Sequence, residues 1–181
     1  PDNKLLAYGV DTVSRRKYTI YVKNLETGEL LTESIPNTEG YSVWANDNKT
    51  MYYVKKDEVT LRSYQIHRHE LGQPSDYLVY QENDETFSVF VTKSKSGKFL
   101  FIGSSSTLSD EYRFLDADKP NGEFKVIQPR EKGLEYGVSH YGDFFYIRTN
   151  LNAQNFKLVK TPVNKTTKEN WQDVIAHDEN S

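Results

Sequence analysis

The chain has 181 residues and a net charge of −3, with 36% hydrophobic and 13% aromatic residues, a composition typical of half-exposed strands rather than of disorder. Lysines and arginines are scattered, so no nucleic-acid partner is expected, and no apolar run reaches the roughly 18 residues of a membrane span, so no membrane partner is expected. The absence of cysteine excludes disulfides and thiolate metal sites, is compatible with a reducing compartment, and leads us to expect a cytoplasmic protein.

The beginning of the chain predicts three strands. A turn sequence, Pro1-Asp2-Asn3-Lys4, leads directly into the apolar run Leu5 to Val10. Period-two alternation from Tyr18 to Val22 predicts a half-buried strand, and a less regular run near Leu30 to Ile35 predicts another. Because domains rarely begin inside a hairpin, we expect this chain to be cut from a longer protein.

The same order recurs with a period of about 44 to 49 residues, now preceded by one additional strand. That strand begins at a tripeptide of an aromatic residue, a small residue and valine: Tyr41-Ser42-Val43, Phe87-Ser88-Val89 and Tyr136-Gly137-Val138. Turns follow at Asp47-Asn48-Lys49, Ser96-Gly97-Lys98 and Tyr141-Gly142-Asp143. Second strands are expected at Met51 to Val54, Phe99 to Ile102 and Phe144 to Ile147, and third strands at Tyr64 to Arg68, Tyr112 to Leu115 and Phe156 to Val159. Fourth strands are expected near Tyr77 to Tyr80, Phe124 to Ile127 and Val174 to Ala176.

Four strands per repeat at this period predict an all-β fold: a partial β-propeller of about four consecutive four-stranded antiparallel blades. We expect a single domain over residues 1–181, with blades at approximately 1–40, which lacks its first strand, 41–86, 87–135 and 136–181. The alternative is a β-sandwich with accidental internal resemblances, but the order of elements recurs intact. A partial ring exposes apolar faces at both ends, so we expect the isolated chain to self-associate or to be poorly soluble.

No residue is predicted to be catalytic, cofactor-binding or metal-binding. A serine hydrolase requires a G-x-S-x-G elbow, and the nearest strings, Gly103-Ser104-Ser105-Ser106 and Gly137-Val138-Ser139-His140, lack the second glycine. His67 and His69 share a strand face, as two metal ligands would, but no third ligand is evident and a polar strand face is the favoured interpretation. His177-Asp178-Glu179 is interpreted as a solvated loop.

One set of carboxylates remains as a candidate site. An acidic residue lies just before each predicted first strand, and the four are Glu39, Asp84, Glu85 and Glu135. In a propeller these positions recur near one mouth of the channel, beside loops that carry Arg15, Arg16, Arg62 and Asn150. The functional interpretation is an acidic collar that attracts cationic peptides or docks a partner domain. The alternative is salt bridging between blades, or solvation.

The segment from Tyr64 to Phe87 contains an ordered series of residues: Tyr64, Arg68-His69, Leu71-Gly72 and Leu78 to Phe87. With these residues it resembles the propeller of the oligopeptidase B group within the prolyl oligopeptidase family. It continues at Ser106-Thr107, Ser109, Glu111, Leu115-Asp116-Ala117, Pro129-Arg130, Lys132, Glu135-Tyr136, His140-Tyr141, Phe145 to Arg148, Asn155-Phe156 and Trp171. This ordered series covers nearly the whole chain.

The resemblance implies a soluble serine peptidase that cuts short peptides after Arg or Lys, in which a seven-bladed propeller covers an α/β-hydrolase domain. The catalytic triad, the oxyanion donors and the pocket for the basic side chain belong to the hydrolase domain, and no position of this chain matches them. The expected partners are therefore a missing hydrolase domain of the same parent chain and short basic peptides as substrate, with no cofactor. The propeller would restrict access to small substrates.

Two other functions remain open from the residues. A free-standing propeller module that binds a peptide or protein would require a closed ring or a longer chain. A carbohydrate-binding β-domain would use the 13 tyrosines as stacking platforms, but most of them occupy strand positions of the repeat, where packing explains them.

Overall fold

The structure is a computed structural model that describes residues 2–178, so that Pro1 and Glu179, at the ends of two predicted loops, lie outside the described residues. Within this range the only helix is a 3-10 turn at Lys168–Asn170. The first six strands are β1 (Leu5–Val10), β2 (Tyr18–Asn24), β3 (Leu30–Trp44), β4 (Thr50–Lys56), β5 (Ser63–Glu70) and β6 (Tyr77–Gln81). The others are β7 (Ser88–Lys93), β8 (Phe99–Ser105), β9 (Asp110–Asp116), β10 (Lys125–Gln128), β11 (Tyr136–Tyr141), β12 (Phe144–Thr149), β13 (Lys157–Pro162) and β14 (Gln172–Ile175).

Each predicted repeat turn has a left-handed residue at its centre. The φ angles of Asn3, Asn48, Gly97 and Gly142 are 60°, 61°, 75° and 61°. Glycine adopts this conformation freely, and asparagine does so more readily than most residues. In the second of these turns, the Asp47 carboxylate also accepts a hydrogen bond from the Thr50 N–H at 2.9 Å. The turns predicted from the sequence are confirmed.

The strands form three antiparallel sheets within the described chain, where the repeat predicted four. The first has six strands in the order β1-β2-β3-β4-β5-β6, and the other two have the orders β10-β9-β8-β7 and β11-β12-β13-β14. The all-β, antiparallel prediction is confirmed. The separation of the first two predicted blades into two sheets is not observed, because one strand belongs to both.

That strand is β3, which has 15 residues. It contains both the predicted fourth strand at Leu30 to Ile35 and the predicted first strand at Tyr41 to Val43. Between them the backbone bends at Asn37 and Gly40, which have φ angles of 58° and 89°, and the register with β4 shifts nearby. A Cβ atom on Gly40 would lie 2.6 Å from the Tyr18 ring, so this position requires glycine. One bent strand therefore replaces the two separate strands that the sequence pattern predicted.

The central strand β4 is apolar on both faces. Tyr52 and Val54 point to one side and join a buried cluster with residues of β7 and β8. Met51 and Tyr53 point to the other side and pack against Ile20 of β2 in a second cluster. Because β2 and β4 are in the same sheet, the two halves of the six-stranded sheet face each other across the bend in β3.

The second sheet repeats this arrangement. On β8, Leu100 and Ile102 face the first sheet, whereas Phe101 faces the third sheet, where it packs with Phe145 and Ile147. All five side chains are at most 2% exposed. Alternate residues of one strand therefore pack in two different hydrophobic cores. The three sheets are packed face to face in series, with the second sheet between the first and the third.

Candidate functional site

The predicted collar acids lie on one end of the sheets, which we call the loop face. In an antiparallel order, the connections β4–β5, β6–β7, β10–β11 and β12–β13 all emerge at the same end. Contacts confirm this placement: Arg62 of the β4–β5 loop reaches the β6–β7 loop, and Asn150 of the β12–β13 loop reaches the β10–β11 loop.

Glu39 neutralises a buried cation. One carboxylate oxygen lies 3.1 Å from the Lys56 ammonium, whose side chain is only 3% exposed, and the other accepts a hydrogen bond from the Ser63 hydroxyl. The Lys56 ammonium also donates to the backbone carbonyl of Arg16 at 2.9 Å. Glu39 is thus bound within its own sheet.

Asp84 and Glu85 lie in the β6–β7 loop. Asp84 accepts hydrogen bonds from the Thr86 N–H at 2.9 Å and hydroxyl at 2.7 Å, and these bonds lower the pKa of Asp84. Arg62 binds this loop through the backbone carbonyls of Asp84 and Phe87, at 3.2 and 2.8 Å, rather than through its carboxylates. The Glu85 side chain is exposed to solvent.

Glu135 occupies the equivalent place before β11. Its N–H donates to the Asn150 side-chain oxygen at 2.9 Å, and the Asn150 amide donates to the Glu135 carboxylate at 3.3 Å and to the Gly133 carbonyl at 2.9 Å. Each predicted acid is therefore on the loop face; Glu39, Asp84 and Glu135 have local partners, whereas Glu85 is exposed to solvent. Within residues 2–178, no hydrogen bond or ion pair links any of the four to another.

A buried ionic network on the same face was not assigned from the sequence. Its centre is Glu82, which is 5% exposed and accepts hydrogen bonds from Arg130 at 2.5 Å, from the Tyr80 hydroxyl at 2.8 Å and from the Ser104 hydroxyl. Its second oxygen accepts the Asp84 N–H at 3.0 Å. The network therefore holds the β6–β7 loop, which carries two of the predicted acids, against the second sheet.

Arg130 extends this network towards a second carboxylate. Its side chain lies 3.4 Å from Glu111, its N–H donates to Glu111 at 3.0 Å, and its guanidinium lies over the Phe87 ring at 4.0 Å. Glu111 in turn binds Arg113 at 2.6 Å. Two carboxylates and two guanidiniums thus alternate at the junction between sheets.

The network keeps Glu82 charged. Burial raises the pKa of this carboxyl, but hydrogen bonds from Arg130, Ser104 and other donors outweigh it and lower the pKa to about 2. The pKa of Arg130 is raised, because the neighbouring carboxylates outweigh its burial. The pair is therefore ionised throughout the pH range in which proteins function.

The histidines are bound to separate partners. His69 lies 2.6 Å from Asp76, whereas His67 stacks on Tyr53 and lies 3.0 Å from the Gln65 side chain. Burial is the main cause of the lowered pKa of His67. Among the described residues, no group of three or more His, Cys, Asp or Glu could hold a metal ion.

Ser104, from one of the two strings nearest to a nucleophile elbow, and Ser96, which lies beside a histidine, both make structural contacts. Ser104 is buried and donates to the Glu82 carboxylate. Ser96 lies 2.8 Å from His140, but His140 packs edge-on against Phe99 and, within residues 2–178, donates no hydrogen bond to a carboxylate that would orient it. This contact joins the β7–β8 turn to the third sheet and lacks the third member of a catalytic triad.

Antiparallel sheets that are apolar on both faces and packed in series place this chain in the class of β-propeller proteins. The family model for the prolyl oligopeptidase N-terminal β-propeller domain matches residues 1–181, so the chain belongs to this family. Within the described residues, no helix is long and apolar enough to cross a membrane.

Known relatives match nearly the whole chain. It is 46% identical to dipeptidyl aminopeptidase BI of Pseudoxanthomonas mexicana over 179 residues, which are 97% of this chain and 25% of that protein. Protease 2 of Moraxella lacunata is 39% identical over 90% of this chain and 24% of its own length. Oligopeptidase B of Leishmania major superposes with a TM-score of 0.91 at 33% identity, covering 99% of this chain and 26% of that one. The chain therefore spans about a quarter of the length of these relatives.

Replacement of Glu82 by Gln is expected to lower the free energy of unfolding by about 3 kcal/mol, because Arg130 loses its closest anionic partner. Glu85→Gln is the matched control, with a change below about 0.5 kcal/mol at an exposed site. The pKa of Glu82 is depressed by folding, so its contribution is complete above the ordinary value of 4.5 and disappears as pH falls towards about 2. Urea unfolding at several pH values measures both effects; equal losses in the two variants would contradict the role of the network.

Proposed function

We propose that this chain is the non-catalytic propeller part of a serine oligopeptidase that cleaves short peptides after Arg or Lys, and that it restricts access to a hydrolase domain of the same parent chain. The observation that carries the proposal is the match over all of residues 1–181, at about a quarter of the relatives' length. We further propose a cytoplasmic location, with which the absence of cysteine is compatible.

We propose that residues 1–181 contribute nearly four blades. The first would be β1, β2 and β3 up to the bend at Asn37 and Gly40, and the second would be the rest of β3 with β4, β5 and β6. The packing of Ile20 of β2 against Met51 and Tyr53 of β4 supports this division, because residues of one sheet meet face to face only where the sheet folds onto itself.

We propose that Glu39, Asp84, Glu85 and Glu135 together give the loop face a negative potential that attracts basic peptides. Their roles differ. Glu39 and Glu135 mainly hold neighbouring loops, through Lys56 and Asn150, whereas Asp84 and Glu85 lie on an exposed loop. Glu85 is therefore the acid of this set most available to an approaching substrate.

The name of one relative supports a second specificity. Dipeptidyl aminopeptidase BI is 46% identical to this chain, and its name denotes release of dipeptides from a free amino terminus. The two specificities differ in their requirement for that terminus. Substrates with free and with blocked amino termini therefore distinguish them in the parent protein.

We expect the 181-residue chain by itself to hydrolyse no arginyl or lysyl amide, because Ser104 is bound to Glu82 and Ser96 faces a histidine without a carboxylate partner. The natural polypeptide that contains the chain is expected to hydrolyse blocked arginyl amides. Chromogenic amides measure both. Turnover by the purified chain, or none by the longer polypeptide, would overturn the proposal, and the second result would favour a binding module.

We expect Glu85→Gln in the parent protein to raise KM for a basic peptide about two- to fivefold with kcat nearly unchanged, an effect that shrinks with added salt. The control is Glu29→Gln, which removes the same charge from the exposed β2–β3 turn at the opposite end of the sheets. Steady-state kinetics at low and high ionic strength test this. An equal change in both variants would show that only net charge matters.

We propose that the isolated chain self-associates through its terminal sheets, where Leu6 of β1 and Ile175 of β14 are 45% and 63% exposed. Ile175→Lys is expected to reduce association, since a charge at a docked apolar surface is costly. Val59→Lys, at an 89% exposed position of the β4–β5 loop, is the control. Light scattering over a concentration series measures the effect, and a monodisperse monomer at high concentration would contradict the proposal.

A further inference from the structure

A groove opens between the outer edges of the first two sheets, away from the loop face. Its volume is about 610 Å³, and it is lined by β6, by Arg68 of β5, by Arg113 of β9 and by the loop at residues 121–124. This volume is in the range of sites that hold small molecules or peptide side chains. We call it the outer groove. All of its lining lies between residues 52 and 124, so neither β1 nor β14, the first and last strands of the described chain, contributes to it.

The outer groove contains a cation without a carboxylate partner. The Arg68 guanidinium donates to the Pro120 carbonyl at 3.1 Å and lies over the Tyr77 ring at 4.9 Å, but within residues 2–178 it forms no ion pair. Glu123 lies in the same lining and pairs with neither arginine of the groove. A bound carboxylate would supply the missing partner, with the planar, paired geometry that guanidinium favours.

The second guanidinium of the groove has spare donor capacity. Arg113 binds Glu111 through one nitrogen at 2.6 Å and lies over the Tyr80 ring at 4.2 Å. Its other terminal nitrogen is buried without a hydrogen-bond acceptor among the described residues. This nitrogen is enclosed by the protein, so Arg113 contributes positive potential to the groove rather than a donor that an occupant could reach.

One wall of the outer groove is an unprotected strand edge. β6 is the last strand of its sheet, and its outer side has no strand partner within the described chain. Its sequence, Tyr-Leu-Val-Tyr-Gln, contains no charge, whereas the corresponding outer strands β10 and β14 contain Lys125 and Asp173. Tyr77 and Leu78 are 65% and 45% exposed. Charges normally protect exposed edges from pairing, so β6 is the outer strand best suited to accept another strand.

The cation is placed towards this edge. Arg68 and Tyr77 are register partners on β5 and β6, and the guanidinium lies over the Tyr77 ring. The positive charge of Arg68, a residue of β5, therefore lies next to β6. A strand added beside β6 would bring one of its side chains next to it.

We propose that the outer groove binds an extended peptide segment containing Asp or Glu, whose backbone pairs with the free edge of β6 and whose side-chain carboxylate binds Arg68. Strand addition of this kind obtains affinity from main-chain hydrogen bonds and specificity from alternate side chains. The proposal concerns binding only and does not depend on the proposed peptidase activity.

The first test compares two labelled peptides, acetyl-Thr-Val-Thr-Glu-Val-Thr-Val-amide and the same peptide with Gln in place of Glu. Both ends are blocked to remove terminal charges, and neither peptide contains Arg or Lys, so the proposed peptidase would leave them intact. The protein is the natural polypeptide that contains this chain. Fluorescence anisotropy is expected to show at least about tenfold tighter binding of the Glu peptide. Equal binding, or no saturation up to about 1 mM, would overturn the proposal.

Protein variants then locate the site. Arg68→Gln is expected to weaken binding of the Glu peptide about tenfold while leaving the Gln peptide unaffected. Arg148→Gln is the matched control, because Arg148 also stacks on an aromatic ring, Phe156 at 3.7 Å, but on the third sheet. Arg68→Lys keeps the charge without the planar fork and is expected to give an intermediate loss. Thermal unfolding of each variant verifies folding, and weakening by Arg148→Gln equal to that by Arg68→Gln would place binding elsewhere.

Backbone pairing has its own readout. N-methylation of alternate peptide amides removes the donors of one edge, so one methylation register is expected to abolish binding and the other to preserve it. If both methylated peptides bind as well as the parent peptide, the β6 edge is not the contact. A Gln peptide with a free carboxyl terminus that binds as tightly as the Glu peptide would show recognition of a terminus and contradict the assignment to a side chain.

Discussion

The central strands of this structure must bury both of their faces, and the remaining architecture follows from that constraint. A strand with alternating polar and apolar residues can expose its polar face to solvent. Strand β4 cannot, because Tyr52 and Val54 make one face apolar and Met51 and Tyr53 make the other apolar. Each sheet consequently requires a neighbour on both sides. A series of sheets has no natural end until it closes on itself or meets another domain, which is the physical basis of a propeller in a larger protein.

When sheets pack in series, the loops at their ends bury backbone polar groups, and on the loop face charged side chains bind these groups. Loops from neighbouring sheets meet there, and their buried carbonyls and amides require partners. Arg62 binds the carbonyls of the β6–β7 loop, and Glu82 and Arg130 join that loop to the second sheet. The acidic residues exposed on the same loop therefore stand on a rigid base. A loop that is fixed in this way loses little conformational entropy when a charged molecule binds to it.

Local signals in the sequence predicted the strands and turns well. Left-handed turn centres were marked by Asn48, Gly97 and Gly142, and the repeated order of apolar runs and alternating segments located nearly every strand. The bend in β3 was not predicted because it depends on a contact between residues distant in sequence, Gly40 and the Tyr18 ring. The residues around Gly40 resemble an ordinary connection between two strands. The ionic network was missed for a similar reason. Its members belong to segments that resemble the oligopeptidase B propeller, but nothing in their spacing pairs one with another.

The sequence by itself determined the elements, their order and the absence of a nucleophile elbow, because turns, alternation and short motifs depend on residues that are near one another in the chain. Only the tertiary structure decided which charges are bound and which are free. In the sequence, Glu39 and Glu85 occupy equivalent positions before a predicted strand. In the structure, Glu39 neutralises the buried Lys56, whereas Glu85 is exposed to solvent. Long-range pairing sets the electrostatic role of a side chain, and no local pattern encodes it.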